Sequence, residues 1–365
     1  MGHAKSKART AGQNRGGRGI APNMAALVRR FGDEGACEEH MISLRWPGGF
    51  ACPRCGNGTY ARVAGRREFR CEACSWQFSA TSGTMLAHTK LPLTSWFRAA
   101  FMVCADTRGA SAQAVARELG VSDATGAAVL RRLRAAMGLA MALCRVGGKW
   151  VELDGASVAC GNSGGGPRHA GSGVTDAPFE LAVSGSAMAA RAVSDVTAGS
   201  VSQFCAGHVS RLCPVRLDAH RSHGQALSGG WDAVACPSGA EGDAPESLPA
   251  AHHVISNIKA KLEGTHHGVS WRRLQEYLDE FSWKYSHKHG DQLADLLREL
   301  CRWPHVPLRE IRSVAGVQPP HEGAPDPGYY HNRTVERKAR RRLFGELATD
   351  VALVAGLKAR ALTHL

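Results

Sequence analysis

Two aspartates and one helical patch carry the chemistry open to this 365-residue chain. Asp154 lies in WVELDGASVAC and Asp218 in CPVRLDAH, both short apolar patterns of the kind that make strands. Further on, HHVISNIK opens with His252 and reaches Lys259 seven residues later. On a helix, positions i and i+7 share a face, so a metal-ligand type and a cation would stand together. Separated acids, a nitrogen ligand and a lysine are the components of metal-assisted phosphoryl chemistry on nucleic acid.

A second constellation is independent of the first. Cys52-Pro-Arg-Cys55 and Cys71-Glu-Ala-Cys74 give a C-x2-C, C-x15-C, C-x2-C spacing. Two such knuckles present four thiolates as a tetrahedron, which is the pattern of a structural zinc ribbon. Gly56 follows the first knuckle, and TYARVAGRREFRC between the pairs reads as a hairpin with Gly65 at its tip. The ribbon could serve stability alone, the metal holding a piece too small for its own core. Alternatively Arg66 and Arg67, beside Arg62 and Arg70, could touch DNA.

The chain must also hold its substrate. Lys and Arg number 45 against 32 Asp and Glu, a net charge of +13 with a pI near 9.4, so polyanions are the favoured partner. SAQAVARELGVSDATGAAVLRRLRAAM has the form of a helix-turn-helix. Ala112, Val115 and Leu119 line the first helix, Gly120-Val121 makes the turn, and Ser122 caps a second helix with Val129, Leu130 and Leu133 inward. Arg131, Arg132 and Arg134 give that helix a basic end suited to phosphates. No apolar run is long enough to span a membrane. Eight further cysteines without paired spacing fit a reducing cytoplasm better than a disulfide scaffold.

These signals divide the chain into five parts. A disordered basic arm (1–20) precedes a zinc ribbon with one leading helix (21–85). A helix-turn-helix region (86–145) leads to a catalytic α/β domain (146–305), and a linker with a basic C-terminal helix (306–365) ends the chain. In the α/β part, strands precede and follow a glycine-rich loop at 161–173. A helix follows Pro249, and a second carries the stripe Leu274, Tyr277, Leu278, Phe281 and Tyr285.

The ribbon with its sequel SATSGTMLAHTKLPLTSWF, then WVELDGA, then HHVISNIKAKLEGTHHGVSWRRLQEYLDEFSWKYSHK resemble bacterial insertion-sequence transposases. The likeness is to those with an N-terminal zinc ribbon and an RNase H-like DDE-type domain, and it spans roughly residues 37–301. It implies a mixed sheet with flanking helices, double-stranded DNA as substrate, Mg2+ or Mn2+ at the catalytic acids, and a homo-oligomer on DNA. By position, the first and second family acids fall on Asp154 and Asp218, each at a strand end. The third family residue stands seven before a lysine; counted back from Lys259 that is His252, with 33 residues between it and Asp218, and with Asn257 as the rival. Asp154 would bridge two ions, Asp218 would hold one and His252 the other, and Lys259 would fix a phosphate. RLDAHRSHG departs from the family pattern after the second acid, and the third acid is absent. The implied activity is metal-dependent strand cleavage and strand transfer at transposon ends. The alternative is a catalytically decayed, zinc-containing DNA-binding protein or regulator.

Overall fold

A computed structural model describes residues 21–107, 109–161, 174–218, 220–236, 248–264 and 269–307. The basic arm, most of the glycine-rich loop and the C-terminal helix expected from the sequence lie outside the described residues. The single leading helix is in fact two. Helix α1 (Met24–Phe31) ends at Gly32, and Asp33 then starts α2 (Glu34–Arg45) by accepting the Ala36 N–H at 2.8 Å. Strands β1 (Tyr60–Arg62), β2 (Phe69–Cys71) and β3 (Gln77–Phe78) form the antiparallel ribbon, with Gly65 at φ 70° in the hairpin tip. Its small interior is aromatic: Phe50 stacks on Phe78 at 5.0 Å, with Tyr60 and Phe69 edge-on or alongside.

Helices α3 (Leu93–Ala105), α4 (Ala112–Leu119) and α5 (Asp123–Ala142) follow. Gly120 takes the left-handed conformation between α4 and α5, and Ser122 caps α5 by accepting the Thr125 N–H. Val115, Val129, Leu130 and Leu133 are buried as the periodicity requires.

The α/β part begins with β4 (Val151–Gly161), β5 (Val174–Ser184) and β6 (Ala187–Ala192), an antiparallel meander. Helix α6 (Ala198–His208), β7 (Val215–Asp218), α7 (Arg221–Leu227) and β8 (Ala233–Cys236) add two parallel strands. Helix α8 (Pro249–Gly264) and the two-residue β9 (Val269–Ser270) precede α9 (Leu274–Ser286) and α10 (Gln292–Arg302). The strand order is β6-β5-β4-β7-β8, with β9 beside β4. This is an RNase H-like mixed sheet, and helices cover both faces.

Alternation along β4 separates two cores. Even-numbered Val158 and Cys160 face α8 and α9, while odd-numbered Val151 and Leu153 face α6. The edge strand β6 is closed by side chains of α9: Ser282 accepts the Ala190 N–H at 3.1 Å and Gln275 the Ala192 N–H at 2.8 Å. Among the described residues no helix is long and apolar enough to cross a membrane.

Helix α10 does not pack with the sheet. Its stripe of Leu293, Leu296, Leu297 and Leu300 joins the core of α2, α3 and α5. Nor do Arg131 and Arg134 face DNA. Both are buried against α9, with Arg131 Nε 3.2 Å from Glu276 and Arg134 Nε 2.7 Å from Glu280. Arg132 is half-buried and donates to the Met85 carbonyl at 3.4 Å. The arginine cluster is a strut between helices, because acids on a distant helix neutralise it inside.

Candidate active site

The register of β4 and β7 sets the first pair of acids. The parallel pairing runs Val151 to Val215, Glu152 to Arg216 and Leu153 to Leu217, so the next step stands Asp154 beside Asp218. Adjacent strands are about 5 Å apart, which makes the two carboxylates neighbours. Asp218 ends its strand as expected. Asp154 does not: it is the fourth residue of the 11-residue β4, and only the β7 pairing ends there.

Asp154 is 7 % exposed; its Oδ1 accepts the Gly155 N–H at 2.8 Å. Burial, and then the charge of Asp218, push its carboxyl above the usual range, against the Gly155 N–H, His252 and His223. His252, on the first turn of α8, brings Nε2 to 3.4 Å from Asp154 Oδ2. That turn is fixed by β4 itself. Buried Glu152, two residues before Asp154 and on the same face, accepts the N–H groups of Ala250 and Ala251, both at 2.9 Å. An acid at a helix N-terminus meets orphan donors and the positive end of the dipole, so one strand supplies both the acid and the cap that aims its partner.

Lys259 is half-buried two turns along α8. Asn257 takes another direction: its Nδ2 lies 3.0 Å from His253 Nε2 on the exposed side of the helix. The structure thus brings Asp154, Asp218 and His252 to one end of the sheet and leaves Asn257 off it.

Two residues at this place escaped the sequence reading. His223, on α7, is 1 % exposed and contacts Asp218 Oδ1 through Nδ1. Its Nε2 lies 3.0 Å from Oε2 of Glu180, which is wholly buried on β5. Burial works against the imidazole's charge, but bonds to Asp218 and Glu180 push its pKa up to about 10. Burial likewise opposes ionisation of Asp218, and His223 holds its carboxyl below the usual range. A glutamate in the middle of FELAV was the available signal, since a buried acid demands a partner.

Which ions these groups suit follows from their geometry. In the ribbon, Cys52 and Cys74 Sγ are 3.7 Å apart, as are Cys55 and Cys71. A tetrahedron with Zn–S bonds of about 2.3 Å has edges of about 3.8 Å, so the four thiols fit zinc. Among the described residues these cysteines are the only group with three or more ligand atoms within 4.8 Å of one another. Asp154, Asp218 and His252 do not close to that distance. Their donor set still fits a divalent cation in kind, with two carboxylates crowding one another on neighbouring strands and one nitrogen beside them.

Arg66 and Arg67 stand exposed on the ribbon hairpin. They are paired with Glu68 at 3.6 Å and Glu34 at 3.0 Å. Such surface pairs are worth about 0–1 kcal/mol.

Residues 32–77 match the family described as the transposase zinc-ribbon domain, and residues 150–286 match the ISXO2-like transposase domain. No curated protein matches the chain.

Proposed function

Since the chain belongs to the insertion-sequence transposases that carry an N-terminal zinc ribbon, we propose that it cuts DNA at the ends of its element and joins them to target DNA, using Asp154, Asp218, His252 and Lys259. The observation that supports this reading is the approach of two other chain segments to Asp154: the β4–β7 register leads to Asp218 beside it, and His252 Nε2 lies 3.4 Å from it.

Each residue has a part. Asp154, Asp218 and His252 would hold the divalent ions, Mg2+ or Mn2+. A bound pair of such ions activates water or a 3′-hydroxyl and steadies the leaving oxygen. Lys259, on the His252 face of α8, holds a phosphate and offsets charge as the bond breaks. Glu152 keeps α8 pointed at Asp154. The exposed Arg66 and Arg67 take DNA phosphates in place of Arg131 and Arg134, which are occupied inside. Two ends must meet for joining, so the acting form is an oligomer on DNA.

A supercoiled plasmid bearing the element's ends tests this. With Mn2+ the wild-type chain is expected to nick and linearise it and to yield joined product, and Asp154→Ala to do neither. DNA binding by the wild type without any cleavage would leave a zinc-bearing DNA-binding regulator. Cleavage without joined product would leave a nuclease.

A further inference from the structure

Three acids gather where the pairing of β4 with β7 ends, and only two of them have a part in the proposed chemistry. The third, Glu180, is paired with Gly155 across the β4–β5 ladder and is 0 % exposed. Gly155 has no side chain to fill the space above it. A Cβ there would stand 3.4 and 3.5 Å from the Glu180 oxygens and 3.6 Å from His223 Cε1. The bare backbone at 155 therefore forms the floor on which Glu180 and His223 meet.

His223 is held at both ring nitrogens. Nε2 faces Glu180 Oε2 at 3.0 Å and Nδ1 faces Asp218 Oδ1. Each ring nitrogen faces a carboxylate oxygen, so the ring cannot turn without losing a bond. Asp218 is the last residue of β7, where it pairs with Cys236 of β8, and its side chain is 27 % exposed. The bond to His223, with a second from the backbone N–H of His220, restrains its rotamer.

We propose that Glu180 and His223 are positioning residues, a buried relay that sets the Asp218 carboxylate for divalent-ion binding. The inference rests on the reading of Asp154 and Asp218 as ion ligands. Outer partners of this type typically change metal affinity by roughly 10–100-fold.

The test measures Mn2+ binding directly, from the electron paramagnetic resonance signal of free ion, in the full-length protein with its zinc retained. His223→Gln and Glu180→Leu are expected to raise the Mn2+ dissociation constant by roughly tenfold or more. Glu180→Gln, which keeps an oxygen to accept from Nε2, is expected to stay within about threefold. DNA affinity and metal-free melting serve as controls, and plasmid cleavage at saturating Mn2+ is expected to recover. If His223→Gln does not fold, the contrast between Glu180→Leu and Glu180→Gln reads the same quantity. Unchanged affinity overturns the relay. Tighter Mn2+ binding in His223→Gln overturns it too, because the side chain would then hinder the ion rather than set its ligand. Asp154→Ala is measured alongside. If the Mn2+ site survives Asp154→Ala, the ion-ligand reading falls and takes the relay with it; if only His223→Gln is silent, the relay alone falls.

Discussion

Truncating Arg134 to alanine distinguishes an interior strut from a DNA contact, and the structure sets the size of the effect. Arg134 Nε lies 2.7 Å from Glu280 Oε2, its guanidinium sits 4.1 Å over the Tyr277 ring, and Lys261 Nζ holds the other Glu280 oxygen at 2.9 Å. Removing one partner of a buried pair costs about 3–5 kcal/mol, since the remaining charge is left in a dry interior. Lys261 still faces Glu280, which favours the lower end, about 3 kcal/mol. In a domain of this size each kcal/mol moves the melting point by about 2–4 °C, so Arg134→Ala should melt roughly 6–12 °C lower. A phosphate contact would behave otherwise. Melting would hold, while the slope of log affinity against log salt would fall by about 0.9. Thermal melting with DNA binding at several salt concentrations reads both. Unchanged melting with a reduced salt slope would refute the interior assignment. The same triad sets an acid limit. Burial opposes the charge on Glu280, but Lys261, Arg134 and Lys284 hold its carboxyl well below the usual range. A depressed carboxyl contributes stability that is complete above its unfolded pKa of about 4.3 and is lost as pH falls below it. Melting of the wild type should therefore drop on acidification below about pH 4, and less steeply in Arg134→Ala.

Three more outcomes are expected. Stripping the ribbon metal with a chelator, or making Cys71→Ser, should unfold β1–β3 and shift the fluorescence of Trp76, which stacks on Phe78 at 5.2 Å. Glu152→Ala leaves the Ala250 and Ala251 N–H groups without their acceptor and should cost about 1–2 kcal/mol in a denaturant titration. Cleavage should fall with it, because His252 rides on that turn. His252→Glu should keep or improve Mg2+-dependent cleavage, while Asn257→Ala should change it less than His252→Ala does. The reverse ranking in a plasmid assay would move the third ligand to Asn257.

How far the site could be read in advance depended on the range of each signal. The cysteine knuckles and the α4–α5 turn are local, and spacing alone places them. Asp154 and Asp218 each sit in an apolar strand pattern, which identifies them; that they stand side by side depends on the β4–β7 register, which spacing does not encode. The arginines misled because a basic run on a helix looks like a solvated face. Their partners Glu276 and Glu280 lie some 145 residues away on α9, whose stripe of Leu274 and Leu278 advertises only one of its two packed faces. Likewise α10 carries a clear leucine stripe, but periodicity cannot say which core it enters. The link of Glu180 to His223 was the least legible of all. It joins an acid on one strand to a histidine on a seven-residue helix, 43 residues away.

The central claim, that Asp154 and Asp218 work as one metal centre, is tested most directly by comparing strand-cleavage rates of Asp154→Ala, Asp218→Ala and the double variant. Residues that act as a unit are not additive. Each single change is expected to abolish Mn2+-dependent nicking as fully as the pair does, with the fold and DNA binding retained. Either single variant still cutting at close to the wild-type rate would contradict the account.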